Sequence, residues 1–334
     1  MRILVFGGTR FIGRALVVEL LSQGHAVAVF HRGMHEGELP PEVHHIHGDR
    51  AELTTQREEI ARFAPGAIVD LSAMTAADAE AVGAALDPSI PAVVASSADV
   101  YRAFGSLHEG VVTDAVPLRE DAPLRTEPPP DRVAMDGWAY DPARYEKLDV
   151  ERIYLQRGAT ICRLPVVYGE HDYKRREEFV LARVRAGRDR IPVGPGTLLL
   201  SRGYAPEIAR GLRLAVERAS GGGDGEIFNL AERETATVGL WAEEILAAAG
   251  HEAELIRVPE ERLPDDLGFT AEFPQPLLMD SSKAERELGW AHTPWRECAA
   301  KSVQWHLAHP LQESRDFDAD DAALAFGASP TSRE

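Results

Sequence analysis

A chain of 334 residues with 44% hydrophobic and 27% charged side chains can bury a core that needs neither disulfide nor metal staple. Its two cysteines, Cys162 and Cys298, exclude a disulfide scaffold and fit a reducing cytoplasm. The formal net charge of −18 argues against broad binding to nucleic acid or anionic membrane, since both require a positive surface. No apolar run nears the ~20 residues of a membrane span.

The opening MRILVFGG enters a β-strand directly, without the apolar core and cleavage site of a signal peptide. Strand and helix patterns then alternate: RILVF, a helix near 12–23, HAVAVF, a polar turn, VHHIHG, a helix near 55–63, AIVDLSA, a helix near 76–86, and PAVVASS. This order predicts an α/β fold, a Rossmann-type doubly wound parallel sheet with helices on both faces. Ligands bind such sheets at the carboxyl ends of the strands. Residues 104–141 form a long proline-rich stretch (VPLREDAPLRTEPPP) of the kind that covers active sites. A helix from about residue 141 and a buried strand, TICRLPVVYG, follow, and then helices near 177–186, 206–218, 238–249 and 282–288 with short strands such as EIFNLA. The expected organisation is a nucleotide-binding domain over 1–170. A smaller C-terminal substrate lobe over 171–310 sends segments back to it, and 311–334 is an acidic, flexible tail.

The segment ILVFGGTRFIGRALVVELLSQG reads as strand, glycine turn and helix. In that context Gly7, Gly8, Thr9, Arg10, Phe11, Ile12 and Gly13 predict a pyrophosphate cradle, because glycines admit the phosphates and helix-start amides stabilise their charge. Arg10 stands where the middle glycine of G-x-x-G-x-x-G would be. The second strand ends with His31 and Arg32, where an NAD site offers a carboxylate to the ribose 2′-hydroxyl. Arg32 there, with Arg10 in the glycine turn, favours the 2′-phosphate of NADP over NAD. Asp49 and Arg50, in HGDR after the third strand, are candidates for the adenine end. In HHIH, His45 and His47 share one face and His44 takes the other, with no cysteine near, so no metal site is expected.

Together GGTRFIG, HGDR, SSADVY, a K-x-x-x-E helix, RLPVVYG and DSSKAERELGW resemble the extended short-chain dehydrogenase/reductase family, the NAD(P)-dependent epimerase/dehydratases, over about residues 1–310. The altered glycine motif is similar to an atypical branch that includes plastid RNA-binding relatives. The resemblance implies that Ser97 holds a substrate oxygen, with Ser96 beside it. It also implies that Lys147 binds the nicotinamide ribose and lowers the pKa of the catalytic acid. Pro165 and Val166 would contact the nicotinamide amide, and Leu71, Ser72 and Ala73 would line the cofactor's path. A homodimer with a small-molecule substrate is implied as well.

The departure is Ala143, which replaces the tyrosine of the family's Y-x-x-x-K. With Asp141 as N-cap and Pro142 as first helical residue, Tyr140 falls outside the helix and Tyr145 lies about 200° from Lys147. Tyr140, folded back from the loop, and Lys147 itself are then the candidate proton donors beside Ser97. The bland alternative is a surface Lys147–Glu151 pair. Two functions remain: an NAD(P)-dependent oxidoreductase or epimerase acting at a carbonyl or carbinol carbon, and a catalytically silent NAD(P)-binding sensor or scaffold. Glu170, His171 and Asp172 are candidate substrate contacts or a solvated turn, and YKRREE (173–178) with Arg183 and Arg185 is a phosphate site or a charged helix face. Trp138 is a ring-stacking candidate. Arg202 and Glu207 stand where the family has an aspartate-rich segment, a change that speaks against a nucleotide sugar and offers Arg202 to an anion.

Overall fold

Four-residue runs of buried apolar side chains such as Ile3–Phe6 and Val27–Phe30 belong to strands covered on both faces, the pattern of a parallel sheet. The computed structural model describes residues 1–34, 39–128, 141–223, 225–311 and 315–327. Its strands are β1 (Arg2–Phe6), β2 (Ala26–His31), β3 (His44–His47), β4 (Ala67–Asp70), β5 (Ala92–Ser97), β6 (Thr160–Leu164), β7 (Val166–Tyr168), β8 (Arg190–Val193), β9 (Arg202–Tyr204), β10 (Ile227–Asn229) and β11 (Glu254–Arg257). Its helices are α1 (Phe11–Ser22), α2 (Arg57–Phe63), α3 (Ala76–Ala85), α4 (Arg102–Glu109), α5 (Lys147–Leu155), α6 (Glu178–Arg185), α7 (Ala205–Ser220), α8 (Val238–Ala249), α9 (Ser282–Leu288), α10 (Trp295–Ala308) and α11 (Asp318–Gly327).

Seven strands form one parallel sheet in the order β10-β6-β5-β4-β1-β2-β3. Alternation along each strand splits its side chains between two cores. Ile3, Val5, Val27 and Val29 meet Leu16, Val17 and Leu20 of α1 and Ile208 and Leu212 of α7. Leu4, Phe6, Ala28 and Ile68 meet Val82 of α3 and Val150 and Tyr154 of α5. The expected doubly wound α/β sheet is therefore the fold. A third core, built on Phe179, Ile191, Trp241, Ile245, Trp295 and Val303, unites α6, α8 and α10 with the β8–β11 pair. Among the described residues no helix is long and apolar enough to cross a membrane.

Three expectations change. The helix expected from residue 141 begins at Lys147: Asp141 instead caps a short 3₁₀ turn over Pro142–Arg144, and the Glu146 side chain accepts from the Leu148 amide to start α5. Residues 102–109 at the head of the expected loop are helical, and Arg125 within it is pinned, donating to Glu146 and to the Asp99 carbonyl. In the expected tail, α11 docks on the lobe, where Asp320, 2% exposed, receives both Nε and Nη2 of Arg183 at 2.7 Å.

Candidate active site

After β1 the chain turns at Gly7, φ 81°, a left-handed conformation that favours glycine. A Cβ on Gly13 would stand 2.0 Å from the Gly7 carbonyl oxygen, so the turn and the helix can approach this closely only without a side chain. No side chain caps α1, which leaves its leading amides a suitable partner for a phosphate. Phe11 takes φ 43°, a conformation that costs an aromatic residue energy and concentrates at ligand clamps. Tyr173 covers this turn: its ring meets Phe11 edge-on at 6.2 Å, and the Arg10 guanidinium lies 4.6 Å from its centre. The cradle fits a dinucleotide pyrophosphate.

At the far end of that cradle, His31 contacts His45, Nε2 to Nδ1 at 2.8 Å, and its Nδ1 accepts from the Gly33 amide. The His47 ring centre is 4.6 Å from that of His31, while His44 turns away and stacks on Phe63. The face assignment read from HHIH is thus the one observed, and among the described residues no group of three or more His, Cys, Asp or Glu is placed to hold a metal. Asp49 caps the following 3₁₀ turn through the Ala51 amide at 2.8 Å. Arg50 is turned inward against Asp70 at 2.7 Å, its guanidinium 5.0 Å from the Phe6 ring centre, so its charge is committed to the sheet. Asp70, at the end of β4 and 0% exposed, also accepts from the Ser72 and Ala73 amides at 3.0 Å and from the Tyr154 hydroxyl at 2.5 Å. These bonds fix the 71–73 segment.

Lys147 opens α5 and is 4% exposed. Its Nζ donates to the Ala73 carbonyl at 2.6 Å and the Ala95 carbonyl at 3.1 Å, tying the β4 and β5 ends together. Burial lowers its pKa, and Asp99 and Asp70 oppose that shift. The surface Lys147–Glu151 pair does not form: Glu151 points inward and takes Arg163 at 3.0 and 2.8 Å and the Ser96 hydroxyl at 2.5 Å. Ser96 is therefore a buried structural partner, because alternation along β5 sends it to a different face from Ser97. Ser97 remains partly exposed at the strand end, where its Oγ accepts from the Asp99 amide at 3.2 Å.

Because α5 starts at Lys147, Tyr145 precedes it, and the turn of that helix does not set the direction of its side chain. Its hydroxyl donates to Asp99 Oδ2 at 2.5 Å. Asp99 is 7% exposed, and its Oδ1 has no hydrogen-bond partner among the described residues. Burial raises the Asp99 pKa, opposed by Tyr145, Arg125 and Lys147. Tyr145, Asp99, Ser97 and Lys147 thus gather at the carboxyl end of β5. Tyr140 and Trp138 lie outside the described residues.

Beyond β6, Pro165 and Val166 lead into β7, and Val166 lines a cavity of about 360 Å³ with Tyr168, Leu200, Arg202, Phe179 and Trp241. The basic run beside it is internally paired: Arg175 with Glu178, Arg176 with Asp172, and Arg185 with Glu178. Arg183 is buried against Asp266 and Asp320. These pairs favour the charged-face reading of YKRREE, with Lys174 exposed beside them. Glu170 accepts from the Tyr204 hydroxyl at 2.6 Å, and Glu207 accepts from Arg210 and Thr293.

Burial pushes the carboxyls of Glu177 and Glu232 up to about 7 from 4.5. The native state then holds protons that the unfolded chain releases, so this contribution to stability falls as pH rises from about 4.5 through about 7. Glu232→Gln is expected to flatten the fall. Urea midpoints of both proteins between about pH 5 and about pH 8 check it, and identical pH dependence would contradict it.

The fold and the strand–glycine–helix turn define a Rossmann-type α/β protein. Residues 3–87 match the model of the NAD dependent epimerase/dehydratase family, the family the motifs resemble. The Arabidopsis thaliana protein "Chloroplast stem-loop binding protein of 41 kDa b" is 28% identical over 313 residues, covering 86% of this chain and 74% of that protein. A UDP-glucose 4-epimerase structure is similar with a TM-score of 0.73 at 17% identity, covering 94% of this chain and 100% of that one. The dTDP-glucose 4,6-dehydratase of Bacillus anthracis, in complex with NAD, gives 0.69 at 18% identity over 92% and 97% of the two chains.

Proposed function

We propose that the chain is an NAD(P)-dependent oxidoreductase of the epimerase/dehydratase type, acting at a carbonyl or carbinol carbon of a small organic substrate. The observation that carries this reading is the 2.5 Å hydrogen bond from Tyr145 to Asp99 beside buried Lys147. A nicotinamide dinucleotide in the glycine cradle would supply the hydride chemistry. Residues 7–13 would hold its pyrophosphate, and Leu71, Ser72 and Ala73 its middle. Pro165 and Val166 would hold its amide. Lys147 uses two of its three donors on carbonyls, and the third suits a ribose hydroxyl.

Ser97 holds the substrate oxygen. In the oxidative direction the substrate hydroxyl proton passes to Tyr145 Oη as the phenol's own proton passes to Asp99 Oδ2, so the phenol is unchanged and the carboxylate ends protonated. Reduction runs the same relay backwards. Burial of Asp99 supports that protonation.

Arg10 and Arg32 support NADP over NAD through its 2′-phosphate. Arg32→Ser is expected to weaken NADPH about tenfold or more and leave NADH unchanged. Titration of both by nucleotide fluorescence checks it, and equal losses for the two would contradict it. The net charge of −18 supports a protein that binds neither nucleic acid nor anionic membrane, and a cytoplasmic homodimer completes this reading.

A second reading, a silent NAD(P)-binding sensor or scaffold, is favoured by Ala143 and by the carbonyl partners of Lys147. Turnover of hydroxy and keto substrates, followed through the absorbance of reduced nicotinamide, separates the two. Tyr145-dependent turnover supports the enzyme, whereas dinucleotide binding without turnover supports the sensor.

A further inference from the structure

Among the described residues the other deeply buried arginines pair with carboxylates: Arg163 with Glu151, Arg183 with Asp266 and Asp320, and Arg125 with Glu146. Arg202, at the start of β9, is the exception. It is 6% exposed and donates one hydrogen bond, from Nη1 to the Ala236 carbonyl at 3.0 Å. Among the described residues no carboxylate lies within 4.0 Å of its nitrogens. Glu232 and Glu177 act on it only through space, and each has an oxygen taken, by the Tyr168 and Ser302 hydroxyls respectively. Trp241 lies against its guanidinium at 4.6 Å.

A buried cation without a counter-charge is costly to keep, and such frustration marks sites that a ligand completes. Arg202 lines the cavity of about 360 Å³ beside Val166, its register partner across the β7–β9 pair and just past the carboxyl end of β6. Of the other cations there, Arg175, Arg176 and Arg315 are held by Glu178, Asp172 and Asp266, and Lys174 is exposed. The buried part of the cavity therefore offers one uncommitted positive charge on a planar fork. A carboxylate matches both the single charge and the fork. The volume is at the small end of ligand sites, which span about 300–1,000 Å³.

We propose that Arg202 anchors the carboxylate of a small hydroxy- or oxo-acid, whose remaining carbons lie within the same cavity. This rests on the oxidoreductase reading and names its substrate class. Glycerate, glycerol phosphate and glycerol, which share a carbon skeleton, serve as probes of carboxylate, phosphate and neutral recognition. Calorimetric titration is expected to show glycerate binding to the wild type. Arg202→Met is expected to weaken it at least about tenfold, with Arg202→Lys in between because the ammonium keeps the charge and loses the fork. Without ligand, Arg202→Met is expected to unfold at or above the wild-type temperature, since it removes an unbalanced charge.

Glycerate that binds neither protein, or both equally, would overturn the proposal. Tighter, Arg202-dependent binding of glycerol phosphate would overturn the carboxylate assignment. NADPH affinity measured on the same samples is expected to be the same in all three proteins and confirms that the variants are folded. Failure of the wild type to bind NADPH would overturn the oxidoreductase reading and leave the Arg202 result standing.

Discussion

Glu151→Ala is expected to lower folding stability by about 3–5 kcal/mol, the cost of leaving a buried charge without its partner. Glu151 and Arg163 are 3% and 1% exposed, and two nitrogen–oxygen bonds join them. The carboxylate also accepts from Ser96, and Arg163 Nη1 donates to the Tyr101 hydroxyl and the Glu120 carbonyl. Burial pulls the Arg163 pKa down, and the hydrogen bonds and charge of Glu151 more than reverse it. Removing the carboxylate strands a guanidinium between α5 and the sheet. Glu151→Leu combined with Arg163→Met removes both charges and is expected to recover much of the loss, since apolar replacement of a buried pair is often near neutral. Urea unfolding of the single and double variants decides it, and a loss under about 1 kcal/mol, the worth of an exposed pair, would contradict it.

The second large effect belongs to Tyr145. Tyr145→Phe is expected to lower turnover about 10²–10⁴-fold, the range for loss of a positioned acid or base, with dinucleotide affinity unchanged. Lys147→Ala is expected to lower turnover far more than cofactor affinity, because its charge acts on Asp99 from within the cluster. Equal turnover in wild type and Tyr145→Phe would remove the phenol from the mechanism. Loss of NADPH binding in Tyr145→Phe would recast it as a structural residue.

The glycine cradle and the parallel sheet were readable because local signals agree there. Gly7 follows the apolar strand β1 and Gly13 stands in the first turn of α1, and the central strands β2, β4 and β5 each carry their own apolar run. The start of α5 was not readable. Asp141 and Pro142 form a better local start signal than Glu146, but the 3₁₀ turn takes that signal and the helix begins five residues past the expected Pro142. From the wrong start, Tyr145 faced away, and its partner Asp99 lies 46 residues earlier, beyond any spacing rule. Lys147 and Glu151 gave a plausible surface pair because their spacing says nothing of burial. The acidic composition of the C-terminal stretch hid a docking face of Ala323 and Leu324, with Asp320 reaching Arg183 across 137 residues. Arg202 was readable as an anion partner, but only the fold shows it buried without a counter-charge.

The most direct test of the account is a structure with NADPH bound. It predicts pyrophosphate against residues 7–13, Lys147 on the nicotinamide ribose, and the Tyr145 hydroxyl within hydrogen-bond reach, about 2.6–3.2 Å, of a substrate oxygen placed over the nicotinamide C4. A nicotinamide face closed off by protein, with Tyr145 unable to reach it, would contradict the enzyme reading and leave a dinucleotide-binding protein without turnover.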